Sequence, residues 1–234
     1  MPYEFEAPKI KLRRAAKHLN ELEKAIEAYV ASGPAKFESR IFDPDDGRQC
    51  AEISLTVTGP PPETAAMIGD VVHNLRSALD LTACEPVRVR LGPSVRVDDV
   101  YFPFARRCED FDLMIRNRNF DRAGHRAVEL IREFKPYAGG NAALRAIHDL
   151  DIQDKHTALI PTVMNVGGPV LRRWDDDGTP NLSFIGDPNS PSEVKVVFPP
   201  NISLAGQEII PALHDLVELA TSIVEAFCAL AYKC

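Results

Sequence analysis

The sequence predicts an α+β fold, a helical bundle of about five to six helices with an N-terminal β-hairpin and a C-terminal antiparallel β-meander, closed by a long C-terminal helix. Apolar residues recur at helical spacing in several long segments, and two alternating segments flank a turn-forming run. Helical and strand-like segments stand in blocks, which argues against a doubly wound parallel sheet. We predict a single domain over 1–234, with a helical core at 8–157, the hairpin at 36–58, a strand block at 158–198 and the C-terminal helix at 205–232.

The N-terminal part predicts one helix and then the hairpin. Leu12, Leu19 and Ile26 belong to an apolar stripe over residues 8–31, where Val30 is its last member, and Gly33 with its neighbouring proline ends the helix. Strands are predicted at 36–42 and 50–58, because the second alternates apolar and polar residues and because Asp, Pro and Gly fill the turn at 43–47.

The middle of the chain predicts several helices around one loop. A helix at 63–84 has Pro62 at its first turn and Pro86 just beyond its end. Helical segments follow at 108–116 and 121–134, and Asn141 caps a helix that runs to about residue 153 or beyond. Between them, the irregular stretch at 87–106 contains Phe102-Pro103-Phe104, which we expect to pack an aromatic pair onto the body.

Short apolar runs at 158–163, 169–174, 181–185 and 193–198 are typical of antiparallel strands. Pro199 and Pro200 end this block. The last helix carries a broad apolar stripe, which predicts that it is largely buried: Ile209, Leu213, Leu216, Ala220, Ile223, Phe227 and Leu230.

Composition limits the function. The 234 residues carry a formal net charge of -7, which argues against a nucleic acid as partner, since capture of phosphate backbones needs clustered Lys and Arg. We expect no membrane association, because no apolar run approaches the length of a bilayer span. Five cysteines, an odd number without a Cys-x-x-Cys pair or a secretory leader, predict free thiols and a cytoplasmic location.

The helix at 63–84 is two-faced. At about 100° per residue, its apolar side is opposite a side that carries small polar groups: Asp70, His73, Asn74, Ser77 and Asp80. Two interpretations stay open, a solvated face or an enclosed polar seam, and the shortage of long Lys and Glu side chains favours the seam. Arg76 precedes Asp80 by four residues, a spacing that permits an intrahelical ion pair.

The helix that begins after Asn141 places two carboxylates, Asp151 and Asp154, within its apolar stripe. A carboxylate that faces the core needs a partner, so we expect Arg76, Lys155 or a histidine to neutralise it. The alternative is that the helix ends near residue 152 and Asp154 caps the next turn. The site requires the imidazole of His73 to lie near Asp154 across a helix crossing.

The same residues suit two kinds of chemistry, one with a metal ion and one without. Two or three imidazoles with a carboxylate would suit zinc, iron or manganese, although the chain has no His-Glu-x-x-His motif, and the candidate ligands are His73, His148, Asp154 and His156. Without metal, histidine and aspartate could perform general acid/base chemistry, with Lys155 or Arg76 stabilising an anionic transition state. The cofactor, the metal and the small-molecule substrate are left open.

Four short motifs follow one another along the chain: the run His73 to Asp80 (HNLRSALD), Phe102-Pro103, Pro136-Tyr137 and the Asp-Lys-His run at 154–156. Together they resemble the pattern of a family of uncharacterised bacterial and phage-associated proteins. The resemblance covers roughly the first two thirds of the chain. It implies that the shared residues act as a set, which we take as candidate catalytic residues: His73, Asn74, Arg76, Asp80, Asp154, Lys155 and His156.

A distant resemblance to HEPN ribonucleases, helical-bundle proteins of toxin and phage-defence systems, depends on Arg76. In HEPN proteins an Arg is followed by a His four to six residues later on one helix, and many relatives in the first family have His directly after the LRSALD run, where this chain has Leu81. A second formal match, Arg118-Asn119 to His125, crosses a predicted helix start and is treated as coincidence.

Two functions are therefore expected. The first is a cytoplasmic hydrolase or nuclease-like protein with a His/Asp/Arg/Lys cluster between two helices. The alternative is a non-catalytic binding or scaffold protein whose polar cluster is a structural hydrogen-bond network. The apolar last helix and exposed strand edges also make a homodimer an expected partner arrangement.

Overall fold

The computed structural model describes residues 5–42, 50–157, 159, 161–166, 170–171, 184–185 and 193–232. The described residues form six α-helices: α1 (Glu6–Ala31), α2 (Glu63–Leu91), α3 (Phe111–Asn117), α4 (His125–Phe134), α5 (Ala142–His156) and α6 (Ile209–Tyr232). They also form six strands: β1 (Ala35–Phe42), β2 (Cys50–Val57), β3 (Thr162–Val166), β4 (Val170–Leu171), β5 (Phe184–Ile185) and β6 (Glu193–Val197). The predicted α+β helical bundle is confirmed.

Three long helices, α1, α2 and α6, pack against one another and form the centre of the bundle. Each contributes an apolar stripe to one continuous core, and its fully buried members include Leu19, Leu22, Ile68, Leu75, Leu79, Leu213, Ile223 and Phe227. Burial of one such side chain stabilises the fold by about 1.5–3 kcal/mol. Helix α5 packs on α2 and α6, so its inward residues face the same core.

Helix α2 is longer than the sequence predicted. The expected end before Pro86 is wrong, because the helix continues through this proline to Leu91. Proline inside a helix costs about 3 kcal/mol through a lost hydrogen bond and a steric clash. Here Pro86 and Val87 are both buried, so packing of the last turns offsets that cost.

The β-hairpin after α1 is confirmed as an antiparallel pair, with Ala35 opposite Val57. The predicted turn at 43–47 lies outside the described residues. Within α1, Tyr29 is buried in place of the predicted Val30, and its hydroxyl donates to the carbonyl of Thr58 at 2.6 Å. This bond ties the end of α1 to the chain just after β2.

The C-terminal strands pair antiparallel, as predicted for this block, in a nested order. Strand β3 pairs with β6. Strands β4 and β5, which lie between β3 and β6 in the sequence, pair with each other. Among the described residues, no helix combines the length and apolar character that crossing a bilayer requires.

The segment before α3 docks onto α2 and α5, as expected for the aromatic pair. Phe102 and Phe104 are buried with ring centroids 5.0 Å apart, and the Phe102 amide donates to Asp80 Oδ1 at 3.0 Å. The guanidinium of Arg145 donates to the carbonyl of Ala105 at 2.9 Å. Polar groups of α2 and α5 thereby fix this segment beside the helix crossing.

Candidate functional site

The crossing of α2 and α5 places a buried carboxylate against a histidine. Asp151 Oδ1 lies 3.2 Å from His73 Nδ1, and Asp151 Oδ2 accepts a hydrogen bond from Lys155 Nζ at 2.5 Å. The Asp151 side chain is only 4% exposed, whereas those of His73 and Lys155 are each 55% exposed. The cluster thus has a buried carboxylate, Asp151, and two basic side chains that face solvent, His73 and Lys155.

Helix α5 positions these groups because it does not stop early. Its cap is as predicted, with Asn141 Oδ1 accepting from the amide of Leu144 at 2.9 Å. The alternative end near residue 152 is wrong, since the helix runs to His156. One further turn places Lys155 four residues after Asp151, where a cation stabilises the buried charge.

The bond to Asp151 determines the tautomer of His73. A carboxylate only accepts hydrogen bonds, so in the neutral ring Nδ1 of His73 carries the proton and Nε2 has the free lone pair. The hydroxyl of Ser77, one helical turn further on α2, lies 3.5 Å from this Nε2. The distance is long for a hydrogen bond, as is common for catalytic contacts before substrate binds. We call Ser77, His73 and Asp151 the relay.

Asp154 lies beside the relay without joining it. Its carboxyl group rests over Gly69 of α2, where a Cβ would be 2.6 Å from the Asp154 carboxyl carbon. Burial, together with the negative charges of Asp151 and Asp70, raises the pKa of Asp154. His73 therefore pairs with Asp151 and not with Asp154, the carboxylate that the sequence analysis placed near it. The expected contact between α2 and α5 is present.

Arg76 and Asp80 form a second, mostly buried group on the next part of α2. Arg76 Nη1 lies 2.8 Å from Asp80 Oδ1, and the Arg76 side chain is 11% exposed. The guanidinium carbon stands 4.6 Å from the ring centroid of Phe104, which stacks on His148 at 4.7 Å with 10° between the planes. We call Arg76, Asp80, Phe104 and His148 the buried column.

The column carries its charges under strong desolvation. Burial lowers the pKa of Arg76, and it raises the pKa of Asp80 despite the adjacent guanidinium. Burial and the nearby Arg76 and Arg145 charges lower the pKa of His148 to about 4. Nδ1 of His148 is buried and has no hydrogen-bond partner among the described residues. The buried column thus connects α2, α5 and the segment at 102–104 through a buried ion pair and stacked rings.

The change His148→Phe tests the column through its pH dependence. Histidine in the unfolded chain takes up a proton near pH 6.5, whereas folded His148 does so at about 4, so the wild type loses stability as the pH falls between these values. Phenylalanine keeps the stack without titrating. We therefore compare the difference in unfolding free energy, variant minus wild type, at the two pH values. We expect this difference to increase by about 1 kcal/mol when the pH is lowered from 7.5 to 4.5, a value that already includes a discount for solvent screening.

Urea denaturation of both proteins at several pH values measures that difference. The raised pKa values of Asp80 and Asp154 have the opposite effect on stability in an overlapping range, but both proteins share them. A difference that stays constant across the pH range would show that His148 is not held neutral by the fold.

Four of the predicted site residues lie outside the relay and the buried column: Asp154 and Lys155, described above, and Asn74 and His156. The Asn74 side chain is buried and donates back to the carbonyl of Asp70 at 2.8 Å, so it serves the helix itself. His156 ends α5, exposed and without a polar partner in the part of the chain that the structure describes. The formal match to the HEPN spacing is also broken, because Arg118 follows α3 whereas His125 begins α4.

The predicted metal ligands do not converge. His73 contacts Asp151, and His148 stacks on Phe104. Over the described ranges, no three His, Cys, Asp or Glu side chains are grouped closely enough to hold a metal ion. The contact between His73 and Asp151 is one that proton transfer can use.

Sequence reasoning left two relay members out of the candidate set. Asp151 was identified as a carboxylate in an apolar stripe, with Arg76, Lys155 or a histidine as its expected partner, and its spacing of four from Lys155 is the signal that selects Lys155. Ser77 was placed on the polar side of α2, and its spacing of four from His73 is the signal that it faces the same ring.

Comparison with protein-family models, with curated proteins and with solved structures returned no match to this chain.

Proposed function

We propose that this protein is a hydrolase that cleaves acyl esters, with Ser77 as nucleophile, His73 as general base and Asp151 as the group that orients the imidazole. The observation that carries this proposal is the linear order of the relay. Ser77 Oγ faces Nε2 of His73 at 3.5 Å, and Nδ1 of the same ring faces the buried Asp151 at 3.2 Å. A serine–histidine–aspartate site is recognised by this geometry and not by the position of its residues in the sequence.

The reaction follows from the protonation states. Ser77 Oγ attacks the acyl carbonyl while its proton passes to Nε2 of His73, and Asp151 stabilises the imidazolium that forms. Collapse of the tetrahedral intermediate breaks the ester bond, and His73 returns the proton to the departing alkoxide. Water, deprotonated by His73, then cleaves the acyl-Ser77 ester and regenerates the hydroxyl group.

Lys155, considered from sequence as the cation for an anionic transition state, contacts Asp151 on the Nδ1 side of His73, whereas Ser77 faces Nε2 on the other side of the ring. The ammonium group of Lys155 is anchored on Asp151 Oδ2, and its side chain is half exposed at the same crossing. Arg76, the other cation considered from sequence, is paired with Asp80 and largely buried. We therefore assign neither cation to the oxyanion, and Lys155 offsets the buried negative charge of Asp151.

The charges around the relay favour an ester over a phosphodiester. Asp154 lies near the charges of His73 and Asp70, and the carboxylates of Asp70 and Glu21 lie 4.0 and 3.3 Å from His18 of α1. A rim of carboxylates repels the phosphates of a nucleic acid, and the net charge of -7 adds to that repulsion. Hydrolysis of acyl esters is therefore preferred to hydrolysis of nucleic acids.

Hydrolysis of p-nitrophenyl esters of increasing acyl length tests the proposal. We expect turnover by the wild type, and a fall in kcat of about 10⁴-fold or more for Ser77→Ala and His73→Gln, because each change removes a group that the acylation step requires. His156→Gln is the matched control, since His156 is an exposed histidine that makes no hydrogen bond to a relay residue in the described structure.

Two outcomes would contradict the proposal. One is a kcat for ester hydrolysis in Ser77→Ala that stays within about tenfold of the wild type. The other is an equal loss in His156→Gln, which would point to surface imidazoles acting without a site.

A structural role for the same cluster is the second candidate function. It is favoured by the burial of Asp151, whose two oxygens are both satisfied by His73 and Lys155. In that case the cluster fixes how α2 and α5 cross, and the protein binds or assembles without chemistry. His73→Gln would then lower the melting temperature strongly, whereas the hydrolase predicts a small change because His73 is half exposed.

Location and assembly belong to the same proposal. The three cysteines whose side chains are described, Cys84, Cys108 and Cys228, are free thiols, which supports a reducing cytoplasm. The resemblance to a bacterial and phage-associated family supports a bacterial origin. We retain the homodimer as a proposal, and sedimentation of the purified protein as a monomer would remove it.

A further inference from the structure

A second concave site lies where the end of α2, the start of α4 and the end of α6 meet. Its cavity has a volume of about 330 Å³, within the range of small-molecule sites, which starts at roughly 300 Å³. None of its lining residues belongs to the relay or to the buried column.

The walls of this cavity are apolar and well supported. Pro86 and Val89 contribute from α2, and Phe227 and Leu230 from α6. The ring of Phe227 is buried and meets Phe120 edge-on at 6.0 Å between centroids. An apolar surface that is fixed in this way is preorganised for an apolar ligand.

One arginine is fixed at the same cavity. Arg90 donates through Nη1 to the carbonyl of Arg122 at 3.1 Å, and among the described residues no carboxylate pairs with it. Its stem runs past Gly124, where a Cβ would lie 3.1 Å from Arg90 Cδ, and the φ of +91° at Gly124 also requires glycine. The backbone thus leaves room for Arg90 and holds its guanidinium in place.

The lining contains one cation, Arg90, that no carboxylate pairs with among the described residues. His125, which lies 3.8 Å from Glu129, and Arg126 also line the cavity, and no aspartate or glutamate belongs to the lining. Because the protein as a whole carries a formal charge of -7, a local cationic group beside an apolar wall selects for a ligand with a negative group and an apolar body.

We propose that this cavity binds a small anionic amphiphile, a medium-chain carboxylate, with its apolar part against Phe227 and its carboxylate on Arg90. Arginine suits this role because its guanidinium donates two parallel hydrogen bonds to a carboxylate. The site is separate from the relay and does not depend on the proposed hydrolase.

Calorimetric titration with three ten-carbon probes, below their micelle-forming concentrations, tests the site. We expect decanoate to bind at least about tenfold more tightly than decanol, with no binding of decyltrimethylammonium, because only decanoate offers an anionic group to Arg90. Arg90→Gln should weaken decanoate about tenfold and leave decanol unchanged. Arg96→Gln is the matched control, an exposed arginine that pairs with Asp98.

The variant Val89→Trp tests the cavity itself. Val89 is partly exposed on α2, so a larger side chain can fill the cavity without entering the core, and it should abolish binding of both decanoate and decanol. Melting temperatures of all variants check that the fold is kept. Equal binding of the three probes, or full decanoate affinity in Arg90→Gln or Val89→Trp, would overturn the proposal.

Discussion

Replacing Arg76 with alanine is expected to lower the free energy of unfolding by about 3–5 kcal/mol. The change leaves the carboxyl group of Asp80 mostly buried without its ion-pair partner, and it removes the cation that stacks on Phe104. Loss of one member of a buried pair costs more than the pair contributes, because the remaining charge stays desolvated. Asp80 also accepts the amide of Phe102, so the segment at 102–104 should loosen as well.

Chemical denaturation at pH 7.5 measures this loss, and an exposed pair provides the control. Arg96→Ala breaks the ion pair with Asp98, which is open to solvent, and should change stability little. The loss in Arg76→Ala should shrink when Asp80→Asn is added, since the stranded charge is then neutral. If Arg76→Ala is no more harmful than Arg96→Ala, the buried column does not hold the fold together.

Replacing Asp151 with asparagine is expected to lower kcat for ester hydrolysis by about 10⁴-fold, in line with loss of the orienting carboxylate in other triads. Asparagine has a nearly equal volume but offers an amide that no longer enforces a proton on Nδ1 of His73. The imidazole can then present its proton to Ser77 and cannot accept one. A negative charge that stabilises the imidazolium is lost in the same change.

Asp154→Asn is the matched control for that prediction. Asp154 lies one turn further along α5 and beside Gly69, close to His73 but not in contact with it by any hydrogen bond in the described structure. We expect its kcat to fall less than about tenfold. Equal losses in the two variants would mean that the cluster acts only through its total negative charge.

Much of the fold followed from local patterns in the sequence. The apolar stripes of α1 and α6, the hairpin pattern and the Asn141 cap each depend on near neighbours, so residue spacing alone predicts them. The end of α2 does not, because Pro86 is tolerated only through burial against distant elements. The pairing of β3 with β6 likewise depends on residues far apart in the chain.

The sequence predicted that two helices meet at the candidate site, but it did not predict which side chains contact one another there. The buried carboxylate of α5 and the polar side of α2 both indicated a meeting point. A shift of three residues along α5 decides whether Asp151 or Asp154 reaches His73, and spacing cannot resolve that shift. The division into a relay and a buried column depends on Phe104, whose ring contacts Arg76 and His148 from a loop.

Covalent labelling with a fluorophosphonate, followed by peptide mass mapping, tests most directly whether Ser77 is an activated nucleophile. Attack by Ser77 Oγ on phosphorus displaces fluoride and leaves a stable phosphonyl ester. The account predicts one adduct per chain, located on Ser77, which disappears in His73→Gln and Asp151→Asn although both variants remain folded. Absence of an adduct on folded wild-type protein, or the same labelling of Ser77 in the His73→Gln variant, would contradict it.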